Sequence, residues 1–510
     1  MTLDIARRRG AGPPIWQRLA AAWKRPAGPT GWASRLRLDV ILLAACVAFG
    51  GAAAVNLKYA LVGLLLAGLS GWVLAKPQVA AYLLILLTPL IVGVNAAVPL
   101  VRPNEVLIVL FAVLIAARWV AGVRTGERRW PKFDKVDFSL IALGVTSSLL
   151  PLLMMVARQR PITSDDLLYC IVIWKLLAEY VIVRSTITTK EQAMRCLWLS
   201  MIAAGIVCLV GILQSLNLLG VPGLLAKYYA PLGQAEAVSI GRGSSLLSLP
   251  AAVADLAILN LGIAIAMLAR APKGDRKWLA GMAILFVLGV VAAAEFSTVI
   301  GLVIALIVIV ILTGYKRLFV YAVPVAIAGA IALWPVIQMR LTGFQSASGI
   351  PVSWEVRLTN LRTYFWPQLF SDNNWILGVR PSARVAVPTQ LYGFVWIESG
   401  YTWLLWGGGL PLIGSYLAFA VYGIRKGCEY AKRQGPAAIA GTAVAAALAA
   451  QLVAMLFDPH LTYRGSGDAL FLILALVRIF PGRRTATGRR AVQQAKPAKP
   501  TTPDREEVPA

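Results

Sequence analysis

Fourteen apolar runs set the limits of what this chain can fold into. They fall at 39–56, 59–75, 79–100, 105–122, 137–157, 166–183, 196–218, 250–269, 278–295, 297–315, 318–338, 400–424, 436–457 and 467–480. Most come close to the ~20 residues that a helix needs to cross the ~30 Å hydrocarbon core of a bilayer. The last is short, and the pair at 278–315 is one long run broken near Glu295. The runs are continuous rather than alternating, which excludes a transmembrane barrel. Hydrophobic residues make up 58% of the chain and charged residues only 14%. A soluble domain carries roughly 25% charge and could not cover so much apolar side chain. A soluble enzyme, a disordered chain and a fibrous protein are therefore excluded. The expected architecture is an all-α polytopic membrane protein with twelve to fourteen transmembrane helices.

Lysine and arginine number 49 against 23 acids, a formal net charge of +26. In a soluble chain that excess would suggest nucleic acid. In a membrane chain it sets topology, because basic residues collect on the cytoplasmic side. With the N-terminus inside and the spans alternating, 36 basic residues fall inside, 12 outside, and Lys175 within a span. This predicts two cytoplasmic termini, affinity for anionic membrane lipids, and no nucleic-acid partner. Residues 1–38 hold eight basic residues and no apolar core of a signal peptide, so they read as a basic cytoplasmic arm. The transmembrane domain occupies 39–480, and 481–510, rich in Pro, Lys, Arg and Thr, reads as a disordered cytoplasmic tail.

No P-loop, GxGxxG, HExxH or CxxC is present. The five cysteines read as small buried residues, and the single histidine, His460, makes a histidine-based metal site an unsuitable reading. The predicted cytoplasmic loops are too short for a nucleotide-sugar domain. Two predicted outer loops are long, at about 219–249 and 339–400, and long loops in compact proteins are usually functional. In the second, Trp354, Leu358, Leu361, Phe365 and Leu369 recur at near-helical spacing, which predicts an amphipathic helix at the membrane–water boundary. Its aromatic residues, Trp366 and Trp396 among them, suit an interfacial belt or a platform for sugar rings. The loop also carries Arg340, Arg357, Arg362, Arg380 and Arg384 and no lysine. Arginine is favoured where a planar fork holds phosphate or carboxylate, so an anionic substrate at the outer face is expected, with ordinary exposed arginine as the alternative.

Three stretches resemble the O-antigen ligase/polymerase superfamily, which comprises the Wzy-type polysaccharide polymerases and the lipopolysaccharide O-antigen ligases. The first is Gly241-Arg242-Gly243-Ser244-Ser245, running to Pro250 at the head of a span. The second runs from Arg357 through Trp366 to Trp375-Ile376-Leu377-Gly378-Val379. The third is Trp396-Ile397-Glu398-Ser399-Gly400-Tyr401, followed by Trp406-Gly407-Gly408-Gly409. The resemblance covers roughly 80–480. It implies a GT-C-like helical bundle with a large periplasmic loop at about 339–400. It also implies metal-independent transfer of a glycan from an undecaprenyl-pyrophosphate-linked oligosaccharide, without cofactor. Flippase and chain-length regulator proteins are the implied partners. Ligases usually carry histidine in the third stretch. Glu398 stands there instead, which favours a polymerase of lipid-linked repeat units over a ligase. The serine-arginine-glycine that many members have at a middle span is replaced by Ser297-Thr298-Val299.

Such a transfer needs cations for the leaving pyrophosphate and a base for the attacking hydroxyl. The residues expected to supply these are Arg242, placed ahead of a helix N-terminus, and Glu398 as base. Arg357, Arg380, Arg384, Arg464, His460, Trp366 and Trp396 are the expected substrate contacts. The alternative reading of Glu398 is an ion-pair partner of Arg380 or Arg384. Lys175 and Glu179, at i,i+4 within a span, are expected to pair with each other. A lipid-linked oligosaccharide transporter is the competing class.

Overall fold

The computed structural model describes residues 56–94, 102–124, 133–229, 241–272, 274–315, 317–342, 351–387 and 393–477. The expected basic arm, the span at 39–56 apart from its last residue, and the tail lie outside them. The chain divides into two compact units, Met1–Gly71 and Trp72–Ala510. Within the first, the described residues form most of the helix Leu57–Ala75. The second contains the helical bundle and the charged groups considered below.

The described chain is overwhelmingly helical. Among the described residues, eight helical stretches are long and apolar enough to cross a membrane: Pro103–Gly122, Lys135–Ala157, Lys190–Ser215, Pro250–Leu268, Arg276–Ala293, Phe296–Thr313, Gly400–Ala431 and Pro436–Ala454. Gln78–Ile91 and Ser466–Val477 are apolar but shorter. The expected span at 137–157 is two helices, Lys135–Ser147 and Leu149–Ala157, broken at Ser148. That at 318–338 is also two, Arg317–Ala332 and Trp334–Thr342. The helix Ser164–Thr186 forms as expected but carries Asp165, Asp166, Lys175, Glu179 and Arg184. Its start is signalled in sequence, because Thr163 and Asp166 make a reciprocal capping box.

Alanine-rich helices occupy the centre. In Pro250–Leu268, 89% of the apolar window is buried, and in Pro436–Ala454, 78%, against 17% for Pro103–Gly122. Small side chains let backbones approach closely, which is how helices pack where lipid removes the hydrophobic drive between them. The outer helices turn apolar residues outward. Val109, Val113 and Ile311 are each more than 60% exposed, a surface suited to lipid and not to water.

The segment 351–399 is not a simple connector. The predicted amphipathic helix is present as Val352–Asn360, a π-turn at Leu361–Phe365 and Trp366–Phe370. Leu361, Phe365 and Leu369 are buried on its inner face while Val356, Thr359 and Arg362 are exposed. Two short antiparallel strands, Arg384–Ala386 and Phe394–Trp396, pair with Arg384 opposite Trp396. They are the one departure from an all-helical fold among the described residues. The segment docks back on the start of Gly400–Ala431. Val379 N donates to Trp406 O at 2.7 Å, Trp406 Nε1 donates to Ser382 O at 2.8 Å, and Phe365 meets the Trp406 ring edge-on at 5.2 Å.

Candidate functional site

Arg357 lies on the helix Val352–Asn360, which is held over the 455–460 turn by the tilted packing of Trp354 on Phe457, 5.0 Å between ring centroids. From there its guanidinium reaches three carboxylates. Nη1 is 2.7 Å from Asp458 Oδ2, Nε is 3.8 Å from Glu398 Oε1, and Nη2 is 3.9 Å from Glu295 Oε1. Glu295 is in turn the ion-pair partner of Arg242. The helix starts and loops that supply these residues meet at one end of the bundle. Two guanidinium groups therefore face three carboxylates there, and Arg357 is the link between them. Of the five, the sequence reading named Arg242, Arg357 and Glu398 as site residues, without joining them.

Each member is positioned by local chemistry. Residues 241–249 are wedged between two helices. Gly243 N donates to Ala292 O at 2.9 Å, Ser245 N donates to Gln214 Oε1 at 2.7 Å, and Ser245 Oγ donates to Val207 O at 2.6 Å. Arg242 lies ahead of the helix start at Pro250, separated from it by the turn Ser245–Leu247, and pairs with Glu295. Glu398 stands immediately before Ser399, whose hydroxyl accepts from Thr402 N as the cap of Gly400–Ala431. A carboxylate beside a helix N-terminus is favoured by the dipole. Gly400 is required by close approach, since a Cβ there would lie 2.6 Å from Met455 Sδ.

The members differ in access. The Glu398 side chain is 38% exposed, against 9% for Glu295 and 8% for Asp458. Glu398 is thus the carboxylate at the opening of the group. Burial raises its pKa, Arg357 opposes this, and Asp458 adds to it, leaving the carboxyl above its ordinary range. Burial acts against the charge on Arg357, but Asp458 and Glu398 outweigh it and hold the guanidinium more firmly protonated. Tyr463, which sequence reasoning passed over, is held well above its usual range by burial and then by Asp458 and Asp255, with Arg357 opposing. Its ring lies 4.9 Å from that of His460. His460 is fully buried and its Nδ1 is 2.8 Å from Asp255 Oδ2.

Arg380 and Arg384 are placed elsewhere. Arg380 forks onto Asp166, with Nε to Oδ1 at 2.9 Å and Nη2 to Oδ2 at 2.6 Å, and Arg384 forks onto Asp165. The expectation that one of them pairs with Glu398 is corrected, because both are held by consecutive acids at the start of Ser164–Thr186 and Glu398 meets Arg357 instead. Those two acids were missed in sequence; their signal was the capping box around them. Arg464 is exposed, 3.9 Å from Glu105. Trp366 is half-buried with Nε1 donating to Thr402 Oγ1 at 3.5 Å, and Trp396 is half-buried on its strand opposite Arg384. The Arg340 side chain lies outside what is described. Lys175 pairs with Asp468 at 2.6 Å rather than with Glu179, since Ser466–Val477 brings a closer carboxylate than the neighbouring turn does.

No group of three or more metal-ligating side chains is arranged to hold a metal ion among the described residues. No family model and no curated protein sequence matches the chain.

Proposed function

We propose that this membrane protein polymerises undecaprenyl-pyrophosphate-linked oligosaccharide repeat units at the periplasmic face, as a metal-independent glycosyltransferase of exopolysaccharide or O-antigen synthesis. One observation carries the reading. Arg357 ties a partly exposed carboxylate of raised pKa, Glu398, to the Glu295–Arg242 pair at the end of the bundle where the long 351–399 segment folds back. A base poised above the usual carboxylate range is matched to taking a proton from a sugar hydroxyl. The neighbouring guanidinium groups are suited to neutralising charge on a departing pyrophosphate. In this mechanism Glu398 takes the acceptor proton as the hydroxyl oxygen attacks the anomeric carbon. The bond from that carbon to the pyrophosphate oxygen breaks, and Arg242 exchanges part of its contact with Glu295 for the leaving group. Arg357 keeps the carboxylates in register. Arg380 and Arg384 support the loop in which the aromatic residues Trp366 and Trp396 are available to sugar rings.

An O-antigen ligase would use the same donor and a lipid A core as acceptor. The chain-length profile of surface polysaccharide in a strain deleted for the protein separates the two. Single-repeat products are expected. Normal-length polymer left on its lipid carrier would identify a ligase instead.

A transporter of lipid-linked oligosaccharide is the second reading. It is favoured by the buried Lys175–Asp468 pair with Glu179 on the same helix, because ionisable groups within spans often line translocation paths. Repeats retained on the cytoplasmic leaflet in the deletion strain would support it.

A further inference from the structure

Helices Pro250–Leu268, Pro436–Ala454 and Ser466–Val477, with the turn at His460, line a partly open cavity of about 20 Å³. Its polar lining is Asp255, Gln451, His460 and Ser466. Two lining atoms are buried without a hydrogen-bond partner, His460 Nε2 and Gln451 Oε1. Leaving such atoms dry is costly, and buried polar atoms are nearly always satisfied by protein or by ordered water.

The pattern of donors defines the guest. His460 Nδ1 is 2.8 Å from Asp255 Oδ2. An ionised Asp255 carboxylate can only accept, so a neutral imidazole beside it donates from Nδ1. Nδ1 then carries the ring proton, and Nε2 is left bare. Gln451 Oε1 is also an acceptor. Two acceptors facing one small space require a molecule with two hydrogens to give. The volume exceeds the ~10–15 Å³ that one water needs and leaves room for little else.

We propose that this cavity binds a single water that donates to both His460 Nε2 and Gln451 Oε1, making His460 an oriented proton acceptor facing buried water. Asp255 sets the tautomer and Gln451 fixes the water. The proposal is independent of the glycosyl-transfer reading, because it concerns the resting protein and rests on no residue of the Arg357 group.

The chain has one histidine, so labelling histidine with nitrogen-15 puts a single imidazole in the spectrum of the full-length protein in lipid nanodiscs. At neutral pH we expect a protonated, pyrrole-type Nδ1 and a bare, pyridine-type Nε2. We also expect cross-relaxation between water and the carbon-bound ring hydrogens. In Gln451→Leu the tautomer should persist while the water contact is lost, with the melting temperature recorded to establish folding. A protonated Nε2 in the wild-type protein, or a ring without water contact, would overturn the proposal, and the wild-type spectrum decides the matter even where the variant does not fold.

Discussion

Arg357 meets Asp458, Glu398 and Glu295 within 4 Å, so its removal leaves the nearly buried Asp458 without its cation, while Glu295 keeps Arg242. Breaking a buried ion pair by deleting one partner costs about 3–5 kcal/mol. Arg357→Ala should therefore lower the melting temperature of the purified protein markedly, whereas Arg357→Lys, which keeps the charge but not the fork, should recover part of the loss. An unchanged melting temperature in the alanine variant would show that the group is held by other contacts. Glu398 gives a different kind of prediction. It is partly exposed and its pKa is raised, so as a base it must be deprotonated and the rate should fall on acidification at a higher pH than an ordinary carboxylate near ~4.3 would give. That acid limb should be absent from the residual activity of Glu398→Gln. Individually, Arg242, Arg357 and Glu398 were legible from residue type and position in predicted outer loops. Their pairing was not, because Asp458 and Glu295 come from junctions between spans, and distance between junctions depends on helix packing that periodicity does not encode. The same limit explains why Lys175 was matched to Glu179, four residues away, and not to Asp468.

The helix Gly400–Ala431 is the element on which the 351–399 segment depends. Gly409 lies inside it at φ 64°, ψ −153°, a region essentially reserved for glycine. A Cβ there would lie 2.3 Å from Ile376 O. Gly409→Ala should cost more than the ~1–3 kcal/mol of backbone strain alone and should loosen the docking of residues 374–379, read as faster amide hydrogen exchange there than in the rest of the segment. Arg380→Ala should act on the same segment by freeing Asp166, with little change in the exchange of Pro436–Ala454; equal protection in both variants would show that the segment is held elsewhere. Apolar run length identified most of the helices. It did not reveal the breaks at Ser148 and Leu333, because run length gives no weight to Thr146, Ser147 and Ser148 or to Pro151 and Pro335, which sit in the first turns of the helices that follow. The amphipathic helix was visible from Trp354 to Leu369 because one face is buried. The strands at 384–386 and 394–396 are too short to leave a pattern.

At the scale of the whole molecule, the eight apolar helices of spanning length among the described residues and lipid-suited outer surfaces agree with the membrane class read from composition. The basic residues, 36 predicted inside and 12 outside, support the proposal that the Arg357 group faces the periplasm. A cysteine at Ala386, which is exposed, should react with an impermeant thiol reagent in intact spheroplasts above the background of the parent protein; reaction only after permeabilisation would reverse the orientation. The central claim, glycosyl transfer with Glu398 as base, is tested most directly with purified protein in nanodiscs and a synthetic lipid-pyrophosphate-linked repeat unit. The wild-type protein should extend the repeat into a ladder with release of the lipid pyrophosphate, and Glu398→Gln, still folded, should be slower by ~10²–10⁴-fold. No ladder from the wild-type protein, or full turnover by Glu398→Gln, would contradict it.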